Sequence, residues 1–529
     1  MYQQVLAPLF GSLGWSALAA SLPLLVLFAL LGLVRMTAWK ASLIALAVAL
    51  AVAMVIYPMP ADQALLSAAL GAAFGFFPIL WIVINAIWIY QMTVITGHFD
   101  VLQRSFSRIS GDRRIQAVII AFCFGALLEA LAGFGTPVAI TTVMLLALGI
   151  SPMTSAVVAL VANTAPVAYG ALASPLVTLA SVTELPLAEL GALTGRQTPV
   201  LAVFVPVVLV GIIDGMRGVR ETLPATLTCG ITFAVAQFVA ANHVSVPLTD
   251  IIAALVAAGA TVLLLRVWSP SGAEPPTTAN PDGRTQVLRA HAPYLIIIAV
   301  FVAAQLGPVA DLLDATTVTF GWPGLDVRDA GGEMLSITEF KFNWLSGAGS
   351  LLLIAGLLTI PAIGIGGRAA LGRYGATYRQ LAWPIVTVMT VLAIAYVMNT
   401  SGQTATLGTW MAAAGGLFAF LSPILGWLGV AVTGSDTSSN SLFGALQVTA
   451  AEHAGMDPML AAAANGSGGV LGKMISPQNL AIAAGAVGMA GREGDLFRRV
   501  LPFSLGFLLI MCLLVFLQST PVLAWMTQL

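Results

Sequence analysis

The segment T-G-S-D-T-S-S-N-S, Thr433–Ser441, follows the apolar run L-S-P-I-L-G-W-L-G-V-A-V and precedes L-F-G-A-L. A charged side chain costs about 2.5–3.5 kcal/mol at a bilayer centre on insertion scales. An aspartate and a row of hydroxyls and amides in such surroundings are either a water-facing loop or a site. The rest of the chain decides between them.

Of 529 residues, 59% are hydrophobic and 8% charged, against about 25% charged in an ordinary soluble domain. The mean hydropathy is +0.97. The composition is that of an all-α polytopic membrane protein. A net charge of −1 without a basic tract gives no reason to expect nucleic acid. Cys123, Cys229 and Cys512 lie inside apolar runs without metal-type spacing, so they read as small buried hydrophobes, and neither a metal nor a cofactor is expected. No Lys or Arg precedes Arg35. The N-terminus therefore lacks the basic region of a cleaved leader, and the first apolar run reads as a retained span.

Apolar runs of roughly 17–25 residues mark spans. They lie near 15–34, 39–57, 64–92, 154–182, 197–215, 223–241, 248–266, 291–310, 343–365, 382–399, 458–490 and 501–520. Two further stretches, 115–150 and 408–452, are interrupted by glycine and polar residues. Basic residues cluster at Arg35 and Lys40, Arg104–Arg114, Arg217 and Arg220, Arg266–Arg289, Arg368–Arg379 and Arg492–Arg499. All fall on one side if each plain run crosses once and each broken stretch enters and returns. Basic residues favour the cytoplasm, so both termini and the acidic loop Asp311–Glu339 are expected outside. Residues 269–290, rich in Pro, Ser, Thr and Gly, read as a cytoplasmic linker.

The two broken stretches match. A-G-F-G-T-P (Ala132–Pro137), followed by N-T-A-P-V-A-Y-G-A-L-A-S-P (Asn163–Pro175), parallels T-G-S-D-T-S (Thr433–Ser438), followed by N-G-S-G-G-V-L-G-K-M-I-S-P (Asn465–Pro477). Gly170, Ser174 and Pro175 align with Gly472, Ser476 and Pro477. One stretch starts from the basic side and the other from the opposite side, so the repeats are expected to be inverted. The expected organisation is 15–215 as the first repeat with a re-entrant hairpin at 115–150, 223–290 as connecting spans and linker, and 291–520 as the second repeat with a hairpin at 408–452. That amounts to about 12 transmembrane helices plus the two hairpins. Broken segments in matching positions of two halves point to a secondary transporter's midplane site. Irregular backbone is tolerated there only where protein buries it or it lines a wet cavity.

L-E-A-L-A-G-F-G-T-P-V-A-I (Leu128–Ile140), A-N-T-A-P-V-A-Y-G (Ala162–Gly170), T-G-S-D-T-S-S-N-S-L-F-G (Thr433–Gly444) and S-P-Q-N-L-A-I-A (Ser476–Ala483) resemble the lactate permease family. The resemblance covers most of the chain. It implies proton-coupled symport of L-lactate, D-lactate or glycolate across a bacterial inner membrane. It also implies elevator-type scaffold and transport domains and a homodimer.

Three ionisable residues stand out. Asp436 aligns with Gly135 and Lys473 with Ala171, so only the second repeat carries these charges; Glu129 lies one helical turn before the first tip. An intramembrane acid is a candidate proton carrier by default, which suits Asp436 and Glu129; a helix cap or a structural hydrogen bond is the plainer reading. Lys473 suits a substrate carboxylate, or a pairing with Asp436, with snorkelling as its alternative. Asn163, Thr164, Asn465, Ser467, Ser476, Gln478 and Asn479 beside the breaks, and Thr136, Thr437, Ser438, Ser439 and Asn440 at the tips, can bond substrate or merely satisfy unwound backbone. His453, His98, His243 and His291 read as loop or interface residues, Trp81 and Trp88 as packing, and Arg196 as a helix flank.

Two other functions compete. Hydroxyl- and amide-rich tips also suit a sodium-coupled organic-anion carrier or a sodium/proton antiporter. The N-G-S-G-G around Ser467 invites an intramembrane serine hydrolase, but Asn465 stands where G-x-S-G needs glycine and no histidine occupies a clear partner span.

Overall fold

Lipid offers the backbone no hydrogen bonds, so an apolar chain crosses it as helix. The computed structural model describes residues 1–34, 36–107, 109–133, 135–270, 282–304, 306–489 and 492–528. Arg35 and Arg108 of the basic clusters, Phe134 of the first tip and residues 271–281 of the expected linker lie outside the described residues. Among the described residues, 10 helices are long and apolar enough to cross a membrane, or 11 if the bent pair Pro152–Ala162 and Val167–Thr183 is one span. The protein is a multi-pass helical membrane protein. The run Leu187–His243 counts once although Gly215, at φ +65°, breaks it between the expected spans 197–215 and 223–241.

Three details depart from the sequence reading. The expected run 64–92 is interrupted: Gly75–Leu80 winds as a π-turn, and Phe77 leaves helical geometry before Pro78, where the following ring disfavours the α region. The second broken stretch resolves into Gln403–Met411, Phe418–Thr433 and Asp436–Ala454, with Gly415 at φ +55° between the first two. The all-α expectation also missed two small sheets. Tyr2–Gln3 pairs parallel with Val327–Arg328, and Val318–Gly321 pairs antiparallel with Glu339–Phe342. Strands this short carry too little periodicity to be read in sequence. The first is anchored by Tyr2, whose hydroxyl donates to the carbonyls of Tyr57 (2.6 Å) and Ser401 (2.9 Å).

The two glycine tips have local causes. Gly434 sits at φ +76°, closing Phe418–Thr433 with its N–H on the carbonyl of Val430. Ser435 is extended and caps Asp436–Ala454, its hydroxyl accepting from the Ser438 N–H at 3.2 Å. A left-handed C-cap glycine followed at once by an N-cap serine turns the chain in two residues. At the first tip Gly135, at φ +84°, precedes helix Thr136–Ala147, which has Pro137 in its first turn. Each tip joins two helices that pack on each other.

Close backbone approach fixes the helices behind the second tip. A Cβ on Gly426 would lie 2.7 Å from the Asn465 carbonyl carbon, and one on Gly468 would lie 2.6 Å from Pro423 Cα. Small residues that let backbones touch are the usual means of packing helices in lipid, where apolar burial gives no net drive. Gly426→Val is expected to cost at least about 1–3 kcal/mol through overpacking and to lower the melting temperature in detergent. Gly416→Val, with nothing within 4 Å of its added Cβ, serves as the control. Equal melting of the two variants would refute this contact.

Candidate functional site

Between the two tips lies a small pocket of about 50 Å³, lined by Glu129, Gly170, Ser174, Gly434, Asp436 and Lys473 among others. The space suits a few waters or a small ligand. Elements from both broken stretches build it, which is the convergence the sequence spacing predicts.

An ion pair forms its wall. Lys473 Nζ donates to Glu129 Oε1 at 2.6 Å, with the two side chains 8% and 3% exposed. Glu129 Oε2 accepts from Asn163 Nδ2 at 2.9 Å. Lys473 therefore pairs with Glu129 and not with Asp436, the pairing the sequence suggested. In the next helix a Cβ on Gly170 would sit 2.8 Å from Glu129 Oε1, so this glycine lets the carboxylate lie against backbone. After it, Ala171, Leu172 and Ala173 take left-handed φ of 42°, 50° and 60°, an arrangement costing about 1–2 kcal/mol per L-residue. Strain of this kind concentrates at functional sites.

Asp436 is buried at the start of its helix and lines the same pocket as Lys473, yet neither carboxylate oxygen has a hydrogen-bond partner. Its side chain lies against Gly466 and Gly469. Thr437 and Gln478 also line the pocket. Several other sequence candidates hold the framework. Ser439 Oγ donates to the Gly426 carbonyl, and Asn440 donates to the Pro175 carbonyl at 3.1 Å while accepting from Asn465 at 2.8 Å. Ser476 caps the helix Pro477–Ala486, and Asn479 Nδ2 donates to Ser476 Oγ and to the Lys473 carbonyl. Ser467 Oγ, Asn163 Oδ1 and Asn479 Oδ1 are buried without partners. Thr164 bonds the Val161 carbonyl and lines a separate space of about 10 Å³. Thr136 and Ser438 are absent from the pocket lining.

Sequence reasoning aligned Ser174 with Ser476 without naming it a site candidate, although it lines the pocket, and it missed Asp250. Asp250 is 1% exposed, at the start of helix Thr249–Leu265. It is the third residue of the apolar run 248–266, counted as plain. An acid at that position was the available signal.

The family model described as L-lactate permease matches residues 16–522. The L-lactate permease of Bacillus subtilis (strain 168) is 40% identical, over 99% of each chain. The glycolate permease GlcA of Escherichia coli (strain K12) is 40% identical, over 96% of each. These are permeases and not enzymes, which removes the hydrolase reading of Ser467. Among solved structures, the Alcanivorax borkumensis YdaH transporter aligns at 17% identity and a TM-score of 0.32, over 84% of this chain and 98% of that one; the likeness is too low to assign a fold.

The buried pair has a thermodynamic signature. Removing one partner of such a pair costs about 3–5 kcal/mol, whereas replacing both is often neutral. Lys473→Met alone should lower stability in detergent by that order, and Glu129→Gln added to it should recover most of the loss. A double variant no better than the single one would mean the pair is not formed.

Proposed function

The chain belongs to the L-lactate permease family, and on that premise we propose that it carries small 2-hydroxymonocarboxylates (L-lactate, D-lactate or glycolate) together with a proton across the bacterial inner membrane. The observation that carries this reading is the Lys473–Glu129 pair at a small pocket between two broken helical stretches. Among the described residues Lys473 is the only buried basic side chain, while Glu129, Asp250 and Asp436 are buried acids of the spanning region. An ammonium is the natural anchor for a substrate carboxylate, but here it is already occupied.

The substrate therefore enters by exchange. A proton on Glu129 neutralises it and releases Lys473, whose ammonium turns to the carboxylate of the incoming acid. Asn163, which donates to Glu129 in the empty pocket, stays in place. The pocket then gains one negative and one positive charge together, so loaded and empty forms carry the same net charge and both can reorient. This shifts the coupling role from Asp436, the sequence's first choice, to Glu129. Asp436, without a partner, is the more economical proton holder, since an isolated buried carboxylate is expensive as an anion. Protonated, it presents an O–H to the substrate hydroxyl.

The same reading includes the inverted repeats 15–215 and 291–520 around the connecting spans 223–290, hairpins that re-enter without crossing, an elevator movement of the hairpin domain, a homodimer, and both termini outside. Matching tips and matching breaks in the two stretches support the repeats. Sodium coupling is the second reading. The two unpartnered carboxylate oxygens of Asp436 in the pocket favour it, because a cation could satisfy acceptors that lack donors.

Purified protein in liposomes decides between them. Labelled L-lactate uptake is expected to follow an imposed inward pH gradient, to ignore replacement of sodium, and to disappear in Lys473→Met. Glu129→Gln should keep lactate–lactate exchange while losing its response to the gradient. Uptake that needs sodium would replace the proton reading with the second one. Full gradient-driven uptake by Glu129→Gln would exclude the exchange mechanism.

A further inference from the structure

The transport steps leave Ser174 without a role. It lines the pocket and is 4% exposed. Its carbonyl receives the Thr178 hydroxyl at 2.9 Å. Among the described residues its own hydroxyl has no hydrogen-bond partner, and it is not fully enclosed. Its counterpart in the second stretch shows what a serine in this place does when it is structural. Ser476 Oγ donates to the Lys473 carbonyl at 3.0 Å and accepts from Asn479 Nδ2 at 2.8 Å. In the same register Val177 stands for Asn479 and Ala171 for Lys473. Valine has no amide to give. The left-handed backbone at Ala171–Ala173 also replaces the turn Lys473–Ile475, whose first carbonyl takes the Ser476 hydroxyl. The first stretch therefore keeps the serine and drops the groups that would occupy it.

The rest of the lining says what that hydroxyl can meet. Gln478 is exposed, and Ser435 and Thr437 are half-buried, so the pocket opens on their side. Its buried polar lining is Glu129, Asp436, Lys473 and Ser174. Two of these are acids, one is an ammonium, and Ser174 alone is a neutral donor. A carboxylate has two oxygens to satisfy once it leaves water, and a buried acceptor without a donor is costly. One ammonium serves one of them. Ser174 also opens the right-handed half-helix of residues 174–183, just past the last positive φ at Ala173. The positive end of a helix dipole favours an anion there.

We propose that Ser174 is a substrate-binding residue whose hydroxyl donates to the carboxylate oxygen that Lys473 does not hold. The inference rests on the reading of this pocket as the site of a small 2-hydroxymonocarboxylate. The two repeats then share the substrate's head group: the second supplies the ammonium and the first the hydroxyl. A hydroxyl that binds substrate and holds no backbone can be removed without loss of stability, which separates Ser174 from Ser476.

The test measures ligand affinity and melting temperature of purified wild type, Ser174→Ala and Ser476→Ala. The acids are L-lactate, glycolate and propionate, which lacks the 2-hydroxyl. Ser174→Ala is expected to melt like wild type without ligand. Its affinity should fall about 10- to 100-fold, the order of a hydrogen bond to a charged group, and by the same factor for each acid that wild type binds. Ser476→Ala should instead melt lower, through its lost cap. Unchanged lactate affinity in Ser174→Ala overturns the proposal. So does a loss confined to one acid or to the 2-hydroxy acids, which would place Ser174 at the methyl or the hydroxyl. A loss of affinity with melting lowered as far as in Ser476→Ala assigns the hydroxyl to the framework and overturns it too. If Ser174→Ala does not fold, Ser174→Cys, which keeps the size but is a poor donor, is read in its place by the same criteria. Absence of lactate binding by wild type would be a failure of the functional reading itself, visible before any variant is compared.

Discussion

A lone ammonium in a membrane interior must keep an anionic partner at all times. Leaving either member of such a pair exposed to low dielectric costs several kcal/mol, and much of the central architecture answers that demand. Lys473 sits at the end of one broken helix and Glu129 one turn before the opposite tip, so their contact at 2.6 Å holds together two stretches far apart in sequence. Gly170 has no side chain because Glu129 lies where a Cβ would be. Asn163 holds the second carboxylate oxygen, and the left-handed turn at Ala171–Ala173 is the backbone cost of the arrangement.

In the exchange we propose, the same constraint would make the pair a selective gate. A neutral molecule offers Lys473 nothing in return for Glu129, and a cation cannot replace Lys473 without displacing it. An anion accompanied by a proton can do both halves of the exchange at once. The small volume of the pocket then limits the anion to a few heavy atoms. The unpartnered carboxyl of Asp436 in its lining suits an anion that also carries a hydroxyl.

Much of this was legible in the sequence, and the exceptions have physical causes. The tips could be read because a glycine followed at once by a serine, inside an apolar run, stops one helix and starts the next. Glu129, Asp436 and Lys473 could be read because charge in such a run needs a reason. Their pairing could not: alignment places residues along each stretch and does not say which carboxylate reaches Lys473 across the fold. Several candidates that looked like ligands, such as Ser439, Asn440, Asn465 and Ser476, prove to hold helices together, because hydroxyls and amides serve unwound backbone as well as they serve substrate. Asp250 was passed over since it stands at the edge of an otherwise plain span.

The central claim is that a proton on Glu129 releases Lys473 to the substrate. It is tested most directly by following pH in a weakly buffered solution of the purified protein as L-lactate is added. The account predicts that wild type takes up protons as lactate binds, and that Glu129→Gln binds lactate with that uptake removed or sharply reduced. Binding of lactate by wild type without any proton uptake would contradict it.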